Sequence, residues 1–98
     1  MAIFSSHLLD ATNGSHADKV DVIIYQINEN GDKAIFCETK SDEGGRIHEE
    51  FDLSEKDTKC EYEMICKTGK YFSEERIVSE INIKFKMEDN NKKYHIPI

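Results

Sequence analysis

Three short stretches carry side chains able to move protons and hold an anion: "FSSHLLD" with His7, "GGRIHEEF" with Arg46 and His48, and "YHIPI" with His95. An imidazole whose ordinary pKa is about 6.5 takes and returns a proton near neutrality. A guanidinium offers planar, bidentate donors to negatively charged oxygens. Their position is as informative as their type. In each stretch apolar residues alternate with these groups, Phe4, Ser6 and Leu8 against Ser5, His7 and Leu9, Ile47 and Phe51 against Arg46, His48 and Glu50, and Tyr94, Ile96 and Ile98 against His95 and Pro97. Successive strand side chains point to opposite faces, so His7, Arg46 and His95 are expected on the face turned away from the core. A second face holding Leu9 and Pro97 beside imidazoles reads as a lined cleft or subunit contact.

Plainer readings hold for the neighbouring groups. Four histidines in 98 residues is unremarkable. His16, in a Ser-His-Ala-Asp loop, and His48 are expected to be solvated, outside any site. Arg46 has a surface alternative in pairing with Asp42 or Glu43, which would contribute little to stability. His7 and His95 gain significance only as a pair. An imidazole site for zinc or copper from His7, His48 and His95 would draw on separate segments without ligand spacing, and no metal or cofactor is expected.

The elements that must position these groups follow from periodicity. Strand-like runs at 3–9, 20–27, 34–40, 46–51, 60–67, 78–87 and 94–98 are separated by clusters of Asn, Gly, Asp and Ser. In the fifth, Cys60, Tyr62, Met64 and Cys66 face one way and Glu61, Glu63 and Lys67 the other. In the sixth, Ile81, Ile83, Phe85 and Met87 face inward and Glu80, Asn82, Lys84 and Lys86 outward. Alternation lapses over 68–76, where Thr68 as N-cap and Tyr71, Phe72 and Glu75 at helical spacing predict one short α-helix. Seven short strands with one helix predict an all-β fold, an antiparallel sandwich of two sheets in a single domain over 1–98.

Composition narrows the partners. A chain of this size buries about two thirds of the surface its unfolded form exposes. A formal net charge of −7 works against nucleic acid or acidic membranes as partners. With no signal-peptide pattern at the start and no run near the ~20 apolar residues needed to span a bilayer, a soluble, cytoplasmic protein is expected. Cys60 and Cys66, on one strand, stand roughly 20 Å apart at about 3.3 Å per residue, too far for a disulfide. Without a Cys-x-x-Cys pair, Cys37, Cys60 and Cys66 are expected as reduced, half-buried thiols.

The order of "SSHLLDATNG", "DEGGRI", "CKTGKYF" and "YHIPI" resembles the transthyretin-like family over essentially the whole chain. Within it the 5-hydroxyisourate hydrolases are the nearer branch, because the hormone carriers do not keep the His and Arg positions. The resemblance implies a two-sheet Greek-key sandwich with one short helix. It also implies a homotetramer, a dimer of dimers, whose channel is lined by the faces carrying His7, Arg46 and His95. The implied reaction is hydrolytic ring opening of 5-hydroxyisourate in urate breakdown. His7 and His95 would then activate water and transfer protons, with Arg46 on the substrate's oxygens. A non-catalytic small-molecule carrier of the same fold is the alternative. Family members continue through a Ser-Pro turn into a further strand ending in Tyr-Arg-Gly-Ser. This sequence stops at Ile98, so the expectation is a domain lacking that last strand, with an open edge at "YHIPI" that favours misassembly.

Overall fold

The computed structural model describes residues 1–7, 20–42, 44–67 and 80–97. They form seven strands: β1 (Ala2–His7), β2 (Asp21–Ile27), β3 (Lys33–Lys40), β4 (Arg46–Phe51), β5 (Glu61–Lys67), β6 (Ile81–Lys86) and β7 (Lys93–Pro97). Strands β4-β1-β7 make a three-stranded sheet and β3-β2-β5-β6 a four-stranded one. Each expected run has its strand, and the charged loop after β4 tightens into a single 3-10 turn, Asp57–Lys59. The helix expected over 68–76, together with Leu8, Leu9 and His16, lies outside the described residues.

Alternation decides the core. From the smaller sheet Ala2, Phe4 and Ile47 are buried, and from the larger one Val22, Ile24, Tyr62, Met64 and Cys66. Phe36, Ile81, Ile83, Phe85, Tyr94 and Ile96 pack against them. Aromatic rings pack across and within the layers: Phe4 stacks on Phe85 of the opposite sheet at 5.2 Å between centroids, and within the larger sheet Phe85 stacks on Tyr62 at 5.7 Å and Phe36 meets Tyr62 edge-on at 5.0 Å. Such pairs add about 0.5–1.5 kcal/mol each beyond the area they bury. The three cysteines are free thiols, and burial pushes that of Cys66 up to about 11, which keeps it protonated and inert at neutral pH.

Two features depart from simple alternation. Glu63 belongs to the outer face of its sheet yet is buried, because Lys33 from β3 folds over it with Nζ 2.7 Å from the carboxylate. And β1 pairs with β7 in parallel, whereas every other ladder between described strands is antiparallel. The first and last strands have no shared hairpin to reverse the chain between them, so direction is set by how the intervening strands wrap the core.

The turn into β7 is anchored independently of the sheet. The Tyr94 hydroxyl accepts from the Asp89 N–H at 2.9 Å and donates to its carbonyl at 3.1 Å. Asn90 reaches back to the end of β4, its Oδ1 accepting from the buried Leu53 N–H at 2.7 Å and its Nδ2 donating to Asp52 at 3.2 Å. The strand bearing His95 is thereby held at its start as well as along β1.

Candidate functional site

The ladders of the smaller sheet arrange its outer face as a grid. Across β1 and β4, His7 stands opposite Arg46, Ser5 opposite His48 and Ile3 opposite Glu50. Across β1 and β7, Ile3 meets Lys93, Ser5 meets His95 and His7 meets Pro97. The face therefore reads in rows, Arg46–His7–Pro97, then His48–Ser5–His95, then Glu50–Ile3–Lys93. With strands about 4.8 Å apart and same-face residues about 6.7 Å apart, the Cα atoms of His7, Arg46 and His95 fall within about 12 Å of one another. All three point away from the core, as alternation requires: Ile47 and Ser6 are buried and Ile96 packs on the core, while Arg46 and His95 are exposed and His7 is half-buried.

His48 is the residue whose place changes. It is exposed, as expected of a solvated strand residue, with Nε2 3.8 Å from Glu50. But it shares the face of the other three, one row from Arg46 and across β1 from His95. Its parity, identical to that of Arg46, was the signal for this. Ser5, whose small hydroxyl carries no signal of its own in the sequence, lies on the same face between His48 and His95. Among the described residues there is no group of three or more His, Cys, Asp or Glu side chains arranged to hold a metal ion.

His7 and His95 each have a defined anchor. The His7 Nε2 lies 2.9 Å from the carbonyl of Gly44; a carbonyl only accepts, so this nitrogen carries the proton and the ring is pinned. The Gly44 carbonyl belongs to a tight loop between β3 and β4 organised by Asp42. Its Oδ1 accepts from the N–H groups of Gly44 and Arg46, both at 2.9 Å, while its own N–H donates to the Arg46 carbonyl at 2.9 Å. Gly45 closes the turn with φ +73°, a left-handed conformation that a side chain would strain. The Arg46 N–H, supported by that of Gly44 and by the charges of Arg46 and His7, holds the Asp42 carboxyl below its ordinary 3.8. Thus Asp42, which the sequence offers beside Glu43 as an alternative surface partner for the Arg46 side chain, hydrogen bonds to the Arg46 backbone. One turn places both the guanidinium strand and the carbonyl that fixes His7.

His95 is held differently. Its Nδ1 lies 2.8 Å from the Ser5 hydroxyl directly across the parallel ladder. The next residue inward repeats the tie on the buried side, Ser6 Oγ donating to the Ile96 carbonyl at 2.6 Å. With Nδ1 turned toward Ser5, ring geometry directs Nε2 away from it. The face combines Arg46, Lys93 and three imidazoles with Glu50, and Asp42 lies close enough for the charges of Arg46 and His7 to act on its carboxyl. Since the Debye length is about 8 Å at physiological salt, these local groups rather than the net charge of the chain set the field at the face. Chemically the arrangement can receive an anionic or polarised oxygen at Arg46 with imidazoles beside it for proton transfer.

Comparison with known proteins supplies the context. A family model described as the HIUase/Transthyretin family matches residues 4–98. A 5-hydroxyisourate hydrolase of Halalkalibacterium halodurans is 27% identical over 101 residues, spanning 96% of this chain and 85% of that protein. Among solved structures, an (S)-allantoin synthase superposes with a TM-score of 0.77 at 22% identity, covering 98% of this chain but 39% of its own. The 5-hydroxyisourate hydrolase of Klebsiella pneumoniae superposes with a TM-score of 0.75 at 22% identity, covering 99% of this chain and 87% of its own. At that identity the superpositions establish the shared sandwich fold.

Proposed function

We propose, from the premise that this chain belongs to the HIUase/transthyretin family, that it is a hydrolase that opens the ring of 5-hydroxyisourate in urate breakdown. The observation that carries the reading is the register that sets His7 opposite Arg46 and His95 one row away, on one outer sheet face. A merely structural sandwich has no use for that convergence. The relatives named for this activity support it.

The chemistry follows from the groups present. Hydrolysis of a cyclic amide requires a water made nucleophilic, a cation or donors for the oxyanion that forms on the attacked carbonyl, and a proton for the departing nitrogen. His7 and His95 serve water activation and proton transfer. Arg46, with its planar fork of donors, holds the substrate's oxygens and the carboxylate that appears when the carbon–nitrogen bond breaks. Water is the co-reactant: the proton taken from it passes to the departing nitrogen, and its second proton is released to solvent as the new acid ionises to the carboxylate.

The same face supports a proposal on assembly. An exposed sheet face bearing the working groups gains both concavity and exclusion of water if another copy of the chain covers it, and we propose a homotetramer built as a dimer of dimers, acting in the cytoplasm. Generating 5-hydroxyisourate from urate with urate oxidase and following its ultraviolet decay tests the central reading. Decay accelerated in proportion to protein supports it. Unaccelerated decay, with the compound or its product bound, would replace the hydrolase by a carrier.

A further inference from the structure

We infer that Ser5 is a positioning residue that selects the working tautomer of His95, leaving the Nε2 of that ring as a base of the site. This deepens the hydrolase reading and rests on it. The two imidazoles are anchored by chemically different partners. His7 Nε2 faces the Gly44 carbonyl, which accepts and never donates, so that nitrogen is committed to carrying a proton. His95 Nδ1 faces a hydroxyl at 2.8 Å, which has lone pairs to accept and a proton to give.

For His95 to accept a proton from water at Nε2, its Nδ1 must already hold one, and that N–H must have an acceptor. Ser5 Oγ is that acceptor. Because Nδ1 carries a proton both in this neutral tautomer and in the imidazolium, the bond to Ser5 persists while Nε2 gains a proton and then passes it to the departing nitrogen. The reverse arrangement, Oγ–H donating to Nδ1, would place the neutral ring's proton on Nε2 and leave no base. The hydrogen bond on one ring nitrogen settles the state of the other. Ser5 suits the task by register as well as by type, since the parallel ladder sets it level with His95. The charged and titratable groups sharing the face are His7 from β1, Arg46, His48 and Glu50 from β4, and Lys93 from β7.

The test compares Ser5→Ala and Ser5→Thr with the full chain. In protein labelled with nitrogen-15 at histidine and held above the ordinary histidine pKa of about 6.5, the His95 signals, identified by their loss in His95→Asn, are expected to show Nδ1–H in the wild type and in Ser5→Thr. They should move toward Nε2–H in Ser5→Ala. Removing the partner of a metal-bound histidine's far nitrogen costs 10- to 100-fold; with a neutral hydroxyl as partner, kcat in Ser5→Ala should fall about tenfold at nearly constant KM. Ser5→Thr should recover most of that loss. A wild-type His95 in the Nε2–H form, or a Ser5→Ala protein with unaltered tautomer and kcat, overturns the assignment. The spectra do not depend on turnover. A wild type without hydrolase activity but with the expected tautomers would refute the hydrolase reading while supporting the Ser5–His95 coupling.

Discussion

Replacing His95 by Asn separates proton transfer from positioning. The Asn amide occupies the place of Nδ1 and can still hydrogen bond with Ser5, 2.8 Å from that nitrogen, but nothing replaces Nε2. The consequences for stability are small. His95 is exposed on β7, its bond to Ser5 is exposed, and a surface change that retains its partner is worth within about 0.5 kcal/mol. For a domain of this size that is a shift in Tm of roughly 2–4 °C. The consequence for the barrier is larger. A lost general base lowers the rate by about 10²-fold or more, which at 1.36 kcal/mol per decade is about 2.7 kcal/mol, some five times the stability change. The assay is the ultraviolet decay of 5-hydroxyisourate made from urate, read beside a thermal melt. Glu80→Gln is the control: an exposed residue preceding β6 of the other sheet, whose pairing with Lys67 at 3.5 Å contributes little. Turnover in His95→Asn equal to that of the wild type would refute the reasoning. So would a loss of activity matched by a comparable loss of stability, since the residue would then be acting through the fold.

Asp42→Ala removes the acceptor that organises the Gly44–Arg46 turn, and so is expected to lower kcat by up to about 10²-fold, the scale of a small misplacement of reacting groups. Asp42→Asn, which keeps an acceptor oxygen, should be milder, and equal effects in steady-state assays would count against the turn as the cause. Phe4→Ala should cost about 3–5 kcal/mol in urea denaturation, out of the 5–15 kcal/mol typical of a domain, because the ring is fully buried and stacked on Phe85 at 5.2 Å. The Asp57 carboxyl is held below its ordinary 3.8, first by the Ser54 N–H and then by the Gln26 amide and Ser54 hydroxyl. Its folded pKa is depressed, so its contribution to stability is present above 3.8 and lost as pH falls through the folded value. Urea midpoints of Asp57→Asn should therefore lie below the wild type at neutral pH and converge on it in acid; parallel curves would contradict the assignment.

The facing of each residue was legible in the sequence because it is local. A strand's side chains alternate with period two wherever it sits in a sheet, so apolar Phe4, Ile47 and Ile96 sufficed to put His7, Arg46 and His95 on the opposite faces of their strands. The seven strands and the two-layer core follow from the same pattern, and the family resemblance followed from motifs that are equally local. Neighbourhood is another matter. That β1 lies between β4 and β7, that it meets one antiparallel and the other in parallel, and that the registers set His7 opposite Arg46 and Ser5 opposite His95 are results of the whole chain wrapping one core. The Ser5–His95 bond joins residues 90 positions apart and the His7–Gly44 bond residues 37 apart, and no short-range pattern encodes either. For the same reason His48, solvated by its local sequence, shares the row of Ser5 and His95. Which side a residue faces is settled by the pleat of its own strand; what it meets there is settled by strand order and register, which exist only once the sheets have closed over Phe4, Tyr62 and Phe85.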